Sequence, residues 1–313
     1  MLKTHRHLIS TIVIAFLLCL SPLQVTANNA EWNTSGRVIA VSDIHGAFDE
    51  FVTLLTGARL IDDDGHWSGS SDHLVIVGDV LDRGAGSRDV LEMIMRLETE
   101  AKHAGGMVHL VLGNHEIMNL VGDLRYVAVA EYARYADVED PEHRSAGLQK
   151  FKSLQSNKQV SAAVVMEEFK RLHPPGFFGH SQLFSAEGAL GKWLLTRPVI
   201  IKVNDSVFVH GGLSLSMLGK SVDEINRLHH KVLREFVSSR EYFVSKGIFG
   251  AATNFFDQPD LVKPLLENKN AQKTVTQKDQ ETAKRLINAY RSDIFASDSP
   301  TWYRGNIGCS AAI

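Results

Sequence analysis

The chain has 313 residues, 44% hydrophobic and 22% charged, enough apolar material for a large buried core. Those figures exclude intrinsic disorder, a collagen-like repeat and a low-complexity chain. A formal charge of −3, from 33 Lys+Arg against 36 Asp+Glu, lacks the basic face that a nucleic-acid partner demands. A small phosphorylated substrate held by local charges remains open.

The N-terminus carries Lys3, His5 and Arg6, continues in an apolar run from Leu8 to Leu20, and reaches the small residues Val25 and Ala27. That order reads as a secretory signal peptide over residues 1–27, cleaved after Ala27. The 13-residue run is shorter than the roughly 18 residues of a spanning helix. The expectation is a periplasmic or secreted chain with no stable membrane span. Cleavage removes Cys19 and leaves Cys309, so no disulfide framework is expected.

Beyond the leader, β-branched runs alternate with amphipathic stretches, the pattern of an α/β domain. Residues 37–41 (RVIAV) read as a strand that runs into Ser42, Asp43, Ile44, His45 and Gly46. Phe48, Phe51, Leu54 and Leu55 then recur at helical spacing. The second strand, 74–77 (LVIV), ends in Gly78 and Asp79, and a long helix follows with Val90, Leu91, Ile94 and Leu97 on one face. The third, 108–112 (VHLVL), ends in Gly113, Asn114, His115 and Glu116. From about 123 to 180 the pattern is helical and polar, a helical insertion with loop punctuation at Pro174, Pro175 and Gly176. Strands resume at 199–203 and 207–209, the latter ending in His210, Gly211 and Gly212; 221–237 is helical, and 268–281 is polar surface.

Polar clusters at successive strand ends carry the chemistry, because open α/β sheets place their sites at carboxyl ends. Hard oxygen donors (Asp43, Asp79, Asn114) mixed with imidazoles (His45, His210) suit Mn²⁺, Fe or Zn²⁺ rather than a thiolate site. A central carboxylate, Asp79, can bridge two divalent ions, one taking Asp43, His45 and Asp79 and the other Asp79, Asn114 and His210. Such a pair lowers the pKa of a shared water and holds phosphoryl oxygens, which suits in-line phosphoester hydrolysis. His115 is the candidate acid for the leaving group, Asp82 its orienting carboxylate, and Arg83 a bidentate fork for phosphate oxygens.

The strings VSDIHG, GDVLDRG, GNHE and VHGG resemble those of the calcineurin-like metallophosphoesterase superfamily, and more narrowly the phosphoprotein phosphatase family. GNHEIMNLVGDLRYV and the later WYRG resemble its Shewanella-like bacterial branch. The resemblance implies a metallophosphoesterase domain over 36–313, built as a β-sandwich flanked by helices. By the same resemblance Asp43, His45, Asp79, Asn114 and His210 are metal ligands, and His115, Asp82 and Arg83 are catalytic. Arg304 of WYRG becomes a second phosphate arginine. The branch points to a phosphorylated protein, with phosphotyrosine favoured. Dinucleotide phosphates and a metal-binding relative with little turnover are the alternatives.

One departure from the pattern carries an expectation. The family supplies a further histidine downstream of WYRG, whereas no histidine follows His230 here. The second metal site is therefore expected to be weakened. His229 and His230 are expected to be a surface or boundary pair, and His173 and His180 solvated loop residues. Trp193 and Trp302 are expected as core or boundary aromatics.

Overall fold

The computed structural model describes residues 30–155, 160–267 and 275–305. The signal-peptide reading and both cysteines lie outside the described residues. In chain order the strands are β1 (Glu31–Trp32), β2 (Val38–Val41), β3 (His73–Val77), β4 (Met107–Val111), β5 (Ile200–Val203) and β6 (Ser206–Val209). The helices are α1 (Phe48–Gly57), α2 (Ser87–Ala104), α3 (Asn114–Val121), α4 (Val129–Ala133), α5 (Pro141–Gln155), α6 (Ala162–Leu172), α7 (Phe177–Leu183), α8 (Ala189–Leu194), α9 (Val222–Ser245), α10 (Gln258–Val262), α11 (Pro264–Glu267) and α12 (Gln277–Tyr290).

Two three-stranded sheets face each other. The first has the order β2-β3-β4, all parallel, with Ala40 beside Val75 and Val75 beside His109. The second has the order β1-β5-β6, parallel between β1 and β5 and antiparallel between β5 and β6. Alternation along β3 divides its side chains between two layers. Leu74 and Ile76 join Leu55, Leu91 and Ile94 of α1 and α2, whereas Val75 packs with Val111, Ile201 and Val203 between the sheets. Buried on both sides, β3 reads as an unbroken apolar run. Each fully buried Leu or Ile contributes about 2 kcal/mol by area.

The implied sandwich flanked by helices is the architecture found. Strand β1, two residues long, carries no periodic pattern and is a strand that sequence reading missed. Helices continue past residue 180 through α8, because Leu190 and Leu194 reach the main core. Asn226 of α9 completes the start of β5: its Oδ1 accepts from Val199 N at 2.9 Å and Ile200 N at 3.2 Å, and its Nδ2 donates to Ile200 O at 2.8 Å. No helix among the described residues is long and apolar enough to cross a membrane.

Three histidines depart from expectation. His173 and His180 are buried, not solvated: His173 stacks between Phe169 and Phe178, and His180 lies against Tyr132, Tyr135 and Phe184. His229 is buried in α9, its Nδ1 directed at Ile225 O (2.9 Å). Amphipathic packing of α6, α7 and α9 drew these rings inward, and burial holds all three below the ordinary histidine pKa.

Candidate metal centre

The ends of β2, β3, β4 and β6 deliver Asp43 and His45, Asp79, Asn114, and His210 to one place. The turns are unusual: Asp43, His45, Asp79, Asp82 and Arg83 all have positive φ, a region that costs non-glycine residues about 1–3 kcal/mol. Backbone bonds hold the turns in that shape, Asp43 N to Gly78 O (3.2 Å), His45 N to Asp79 O (3.0 Å) and Gly84 N to His45 O (2.9 Å). The Asp79 loop and the start of α3 also nearly touch. A Cβ on Gly113 would stand 2.3 Å from Asp79 Oδ1, so only glycine allows that approach.

Glu116 is the peg under these loops. Fully buried, its carboxylate accepts from Gly113 N (2.8 Å), Asp79 N (2.9 Å), Val80 N (2.8 Å) and Leu81 N (3.2 Å). Burial and the Asp79 charge push it up to about 7, against the pull of those donors. Sequence reading quoted Glu116 within GNHE and gave it no role. Its place three residues after Gly113, where a helix-capping acid sits, was the available clue.

Asp79 Oδ2 is central, 3.3 Å from His210 Nε2, 3.7 Å from His45 Nε2 and 3.8 Å from His115 Nε2. Burial opposes its charge, yet the His210 hydrogen bond and nearby imidazoles hold it below the usual carboxylate value. His210 responds in kind: burial lowers its pKa, and Asp79 more than restores it, so the value is raised.

The fit to divalent cations rests on ring orientation. His45 turns Nδ1 to Leu81 O (2.8 Å) and His210 turns Nδ1 to Val77 O (2.9 Å). A carbonyl acceptor holds the proton on Nδ1 and leaves Nε2 with a lone pair aimed into the pocket, the tautomer a metal ligand needs. His45 Nε2 is buried with no hydrogen-bond partner. Such an orphaned acceptor beside two carboxylates suits a cation. Ligand atoms of Asp43, Asp79 and His210 lie within 4.8 Å of one another, as do those of His45, Asp79 and His115. Asp79 is common to both groups, as a bridging carboxylate requires. His115 stands where the sequence reading grouped Asp43 with His45, and Asp43 keeps a side chain 58% exposed.

Behind the pocket, His115 Nδ1 meets Asp82 Oδ2 at 2.6 Å, and Asn119 Nδ2 donates to Asp82 Oδ1 (2.9 Å) and to His115 O (3.0 Å). Burial lowers the His115 pKa, but the Asp82 bond and the charges of Asp79 and Glu116 outweigh it and raise the value. Tyr126 sets its ring 5.3 Å from His115, and its carbonyl accepts from Arg83 N at 2.9 Å. Arg83 Nη2 lies 3.5 Å from His115 Nε2. Sequence reading did not single out Asn119. The ring contact with His115 places Tyr126 at the edge of the site.

Arg304 arrives from the far end of the chain. Pro300 O accepts from Gly211 N (2.7 Å) and Gly212 N (3.3 Å), and a Cβ on Gly211 would meet Pro300 O at 2.7 Å. The bare HGG backbone is therefore what admits the WYRG loop. Arg304 Nη2 then donates to Asn114 Oδ1 at 3.1 Å and approaches His210 Nε2 at 3.3 Å. The exposed arginines border the pocket on two sides, and all nine residues singled out from sequence meet there.

The chain is 34% identical over 197 residues to Shewanella-like protein phosphatase 2 of Arabidopsis thaliana, covering 61% of this chain and 50% of that protein. It is 28% identical over 199 residues to Shewanella-like protein phosphatase 1 of Plasmodium berghei, covering 64% and 44%. It thus spans about half the length of the curated relatives it matches. Among solved structures, the cold-active protein-tyrosine phosphatase of a psychrophilic Shewanella superposes with a TM-score of 0.53 at 26% identity, covering 90% of this chain and 60% of that one. The calcineurin-like phosphoesterase family pattern matches residues 36–272, the span that holds every residue of the pocket except Arg304. On that match the chain belongs to the calcineurin-like phosphoesterase family.

Proposed function

We propose that the protein is a metal-dependent phosphatase that hydrolyses phosphate monoesters, with a phosphorylated protein as substrate. One observation carries the reading: Asp79 Oδ2 lies within 3.3–3.8 Å of three imidazole Nε2 atoms, two of them turned inward by backbone carbonyls. When bound, two divalent cations, Mn²⁺ or Fe/Zn, supply Lewis acidity that makes a water nucleophilic and neutralises phosphoryl oxygens. Asp43, His45, Asp79, Asn114 and His210 hold them. Arg83 and Arg304 offer N–H groups to the non-bridging oxygens of the phosphate. His115, with its proton on Nε2 and Asp82 behind Nδ1, donates that proton to the departing oxygen. The Shewanella-like relatives support a phosphoprotein, and the tyrosine-phosphatase neighbour supports phosphotyrosine among phosphoresidues. The leader at residues 1–27 supports export, which a mature N-terminus at Asn28 in the periplasmic or secreted fraction tests.

The test is hydrolysis of p-nitrophenyl phosphate, phosphotyrosine and phosphoserine peptides, and a dinucleoside tetraphosphate in added Mn²⁺, with metal content measured in parallel. Asp79→Asn removes the charge that lets two cations approach and is expected to abolish both turnover and paired metal binding. Two bound ions with near-wild-type turnover in Asp79→Asn would sink the two-metal reading. Preference for the tetraphosphate would move the substrate to nucleotides.

The ion shared by Asp79, Asn114 and His210 is proposed to be the weaker one, because the Arg304 guanidinium already sits against Asn114 and His210. After dialysis the protein is expected to hold nearer one ion than two, with activity rising on added Mn²⁺. Arg304→Ala is expected to retain more Mn²⁺ by about tenfold in affinity, read by equilibrium dialysis. Equal retention by wild type and variant would remove Arg304 as the cause.

A further inference from the structure

Between α5, α7, the second half of α9 and the loop at 247–251 lies a cavity of about 400 Å³, lined by Phe151, Phe178, Val244 and Phe249. None of the pocket residues described above takes part in it. Two cations enter this apolar space, Arg240 and Lys150. Arg240 Nη2 donates to Ala251 O at 3.1 Å, while its Nε is buried and has no hydrogen-bond partner. Among the described residues neither cation has a carboxylate within the 4.0 Å of an ion pair. Glu241 also lines the cavity, but its carboxylate is turned to the Ala186 N–H. A guanidinium drawn partly out of water without a direct ion pair is costly. Burial pulls the Arg240 pKa down from the usual arginine value, against the opposing pull of the Glu241 charge. The position is held by a close approach: a Cβ on Gly122 would stand 2.5 Å from Arg240 Nε, so the bare end of α3 leaves room for it.

A cavity with aromatic walls and a guanidinium that no carboxylate pairs directly is complementary to one kind of small molecule. We propose that it binds an amphipathic monoanion, an aliphatic or aryl carboxylate, with its acid group on Arg240 and its hydrocarbon among Phe151, Phe178 and Phe249. The volume lies within the usual range for small-molecule sites, which are mostly apolar with a few convergent polar groups. Lys150 at the wall adds a second, looser attraction for the same charge. Phosphate alone would gain the charge and waste the rings; an alcohol would do the reverse.

Octanoate and octanol separate those contributions. Isothermal titration of the full chain with each is expected to show octanoate binding at one site at least about tenfold tighter than octanol, the usual scale of a charge-assisted hydrogen bond. Arg240→Met is expected to erase that preference by weakening octanoate alone. Val244→Trp, which fills the cavity and leaves Arg240 in place, is expected to lose both ligands. Circular dichroism checks that each variant is folded. If Arg240→Met does not fold, the octanoate-to-octanol ratio in wild type and the behaviour of Val244→Trp still decide. No saturable octanoate binding, equal affinity for the two ligands, or unchanged binding to Val244→Trp would each overturn the proposal.

Discussion

The ring of His115 is fixed from behind, by Asp82 on Nδ1 and by Asn119 on Asp82. That leaves Nε2 as the atom able to meet a leaving oxygen. His115→Asn is expected to lower turnover by about 10²–10⁴-fold on alkyl phosphates, whose leaving groups need a proton, and by much less on p-nitrophenyl phosphate. Asn119→Ala is expected to show the same leaving-group pattern at smaller amplitude, because Asn119 positions the pair without touching substrate. Equal losses on both substrates would assign His115 to cation binding instead. The same residues mark the limit of reading the chain. Asp43, His45, Asp79, Asn114 and His210 stood out because their side chains are donors with no better local use. Glu116 and Asn119 satisfy backbone groups and a neighbouring carboxylate, needs that exist only once the left-handed turns at Asp79 and Asp82 are in place.

At the scale of elements, α12 shows a cap that joins two helices. Thr276 and Asp279 form a capping box, Asp279 N donating to Thr276 Oγ1 at 3.1 Å and Thr276 N to Asp279 Oδ2 at 2.7 Å. Tyr242 of α9 donates its hydroxyl to Asp279 Oδ1 at 2.6 Å. That bond, with the Thr276 donors and Lys246, outweighs burial and pulls the carboxyl down to about 2. A depressed carboxyl stabilises the fold when ionised, so its contribution is present above about pH 4 and fades as pH falls towards 2. Asp279→Ala is expected to cost about 1 kcal/mol at neutral pH. In urea melts the gap to wild type is expected to close mostly between about pH 4 and pH 2. A gap that stays constant over that range would show that the charge is not responsible. Sequence reading placed 268–281 on the surface, and the T-x-x-D spacing that opens α12 was the clue passed over. The long faces of α2 and α9 were readable because many turns repeat one pattern, whereas two-residue β1 offers no period to detect.

Across the whole molecule, the sandwich joins segments far apart in the chain. The first sheet is assembled from residues 38–111, whereas the second brings Glu31 against Lys202 and Trp32 against Val203. Sequence patterning could find every strand except β1 and could not pair them, because parallel partners are chosen by the packing of Val75 and Val111 against Ile201 and Val203. That pairing has a kinetic consequence. Strand β1 has nothing to hydrogen-bond until the chain has been made past residue 200 and helices α4 to α8 have packed out of the way. Closing so long a loop is entropically slow compared with the local contacts of the first sheet. Trp32, 4.4 Å ring to ring from His109 in the finished fold, reports that last event. In stopped-flow refolding its fluorescence is expected to lag far-ultraviolet circular dichroism by about an order of magnitude or more in time, with the other three tryptophans replaced by phenylalanine to isolate it. Coincident traces would mean that both sheets close together. Until β1 docks, the flank of β5 that it covers stays unpaired. This is the interval in which two nascent copies can exchange strands, and it sets a concentration ceiling on recovery from denaturant.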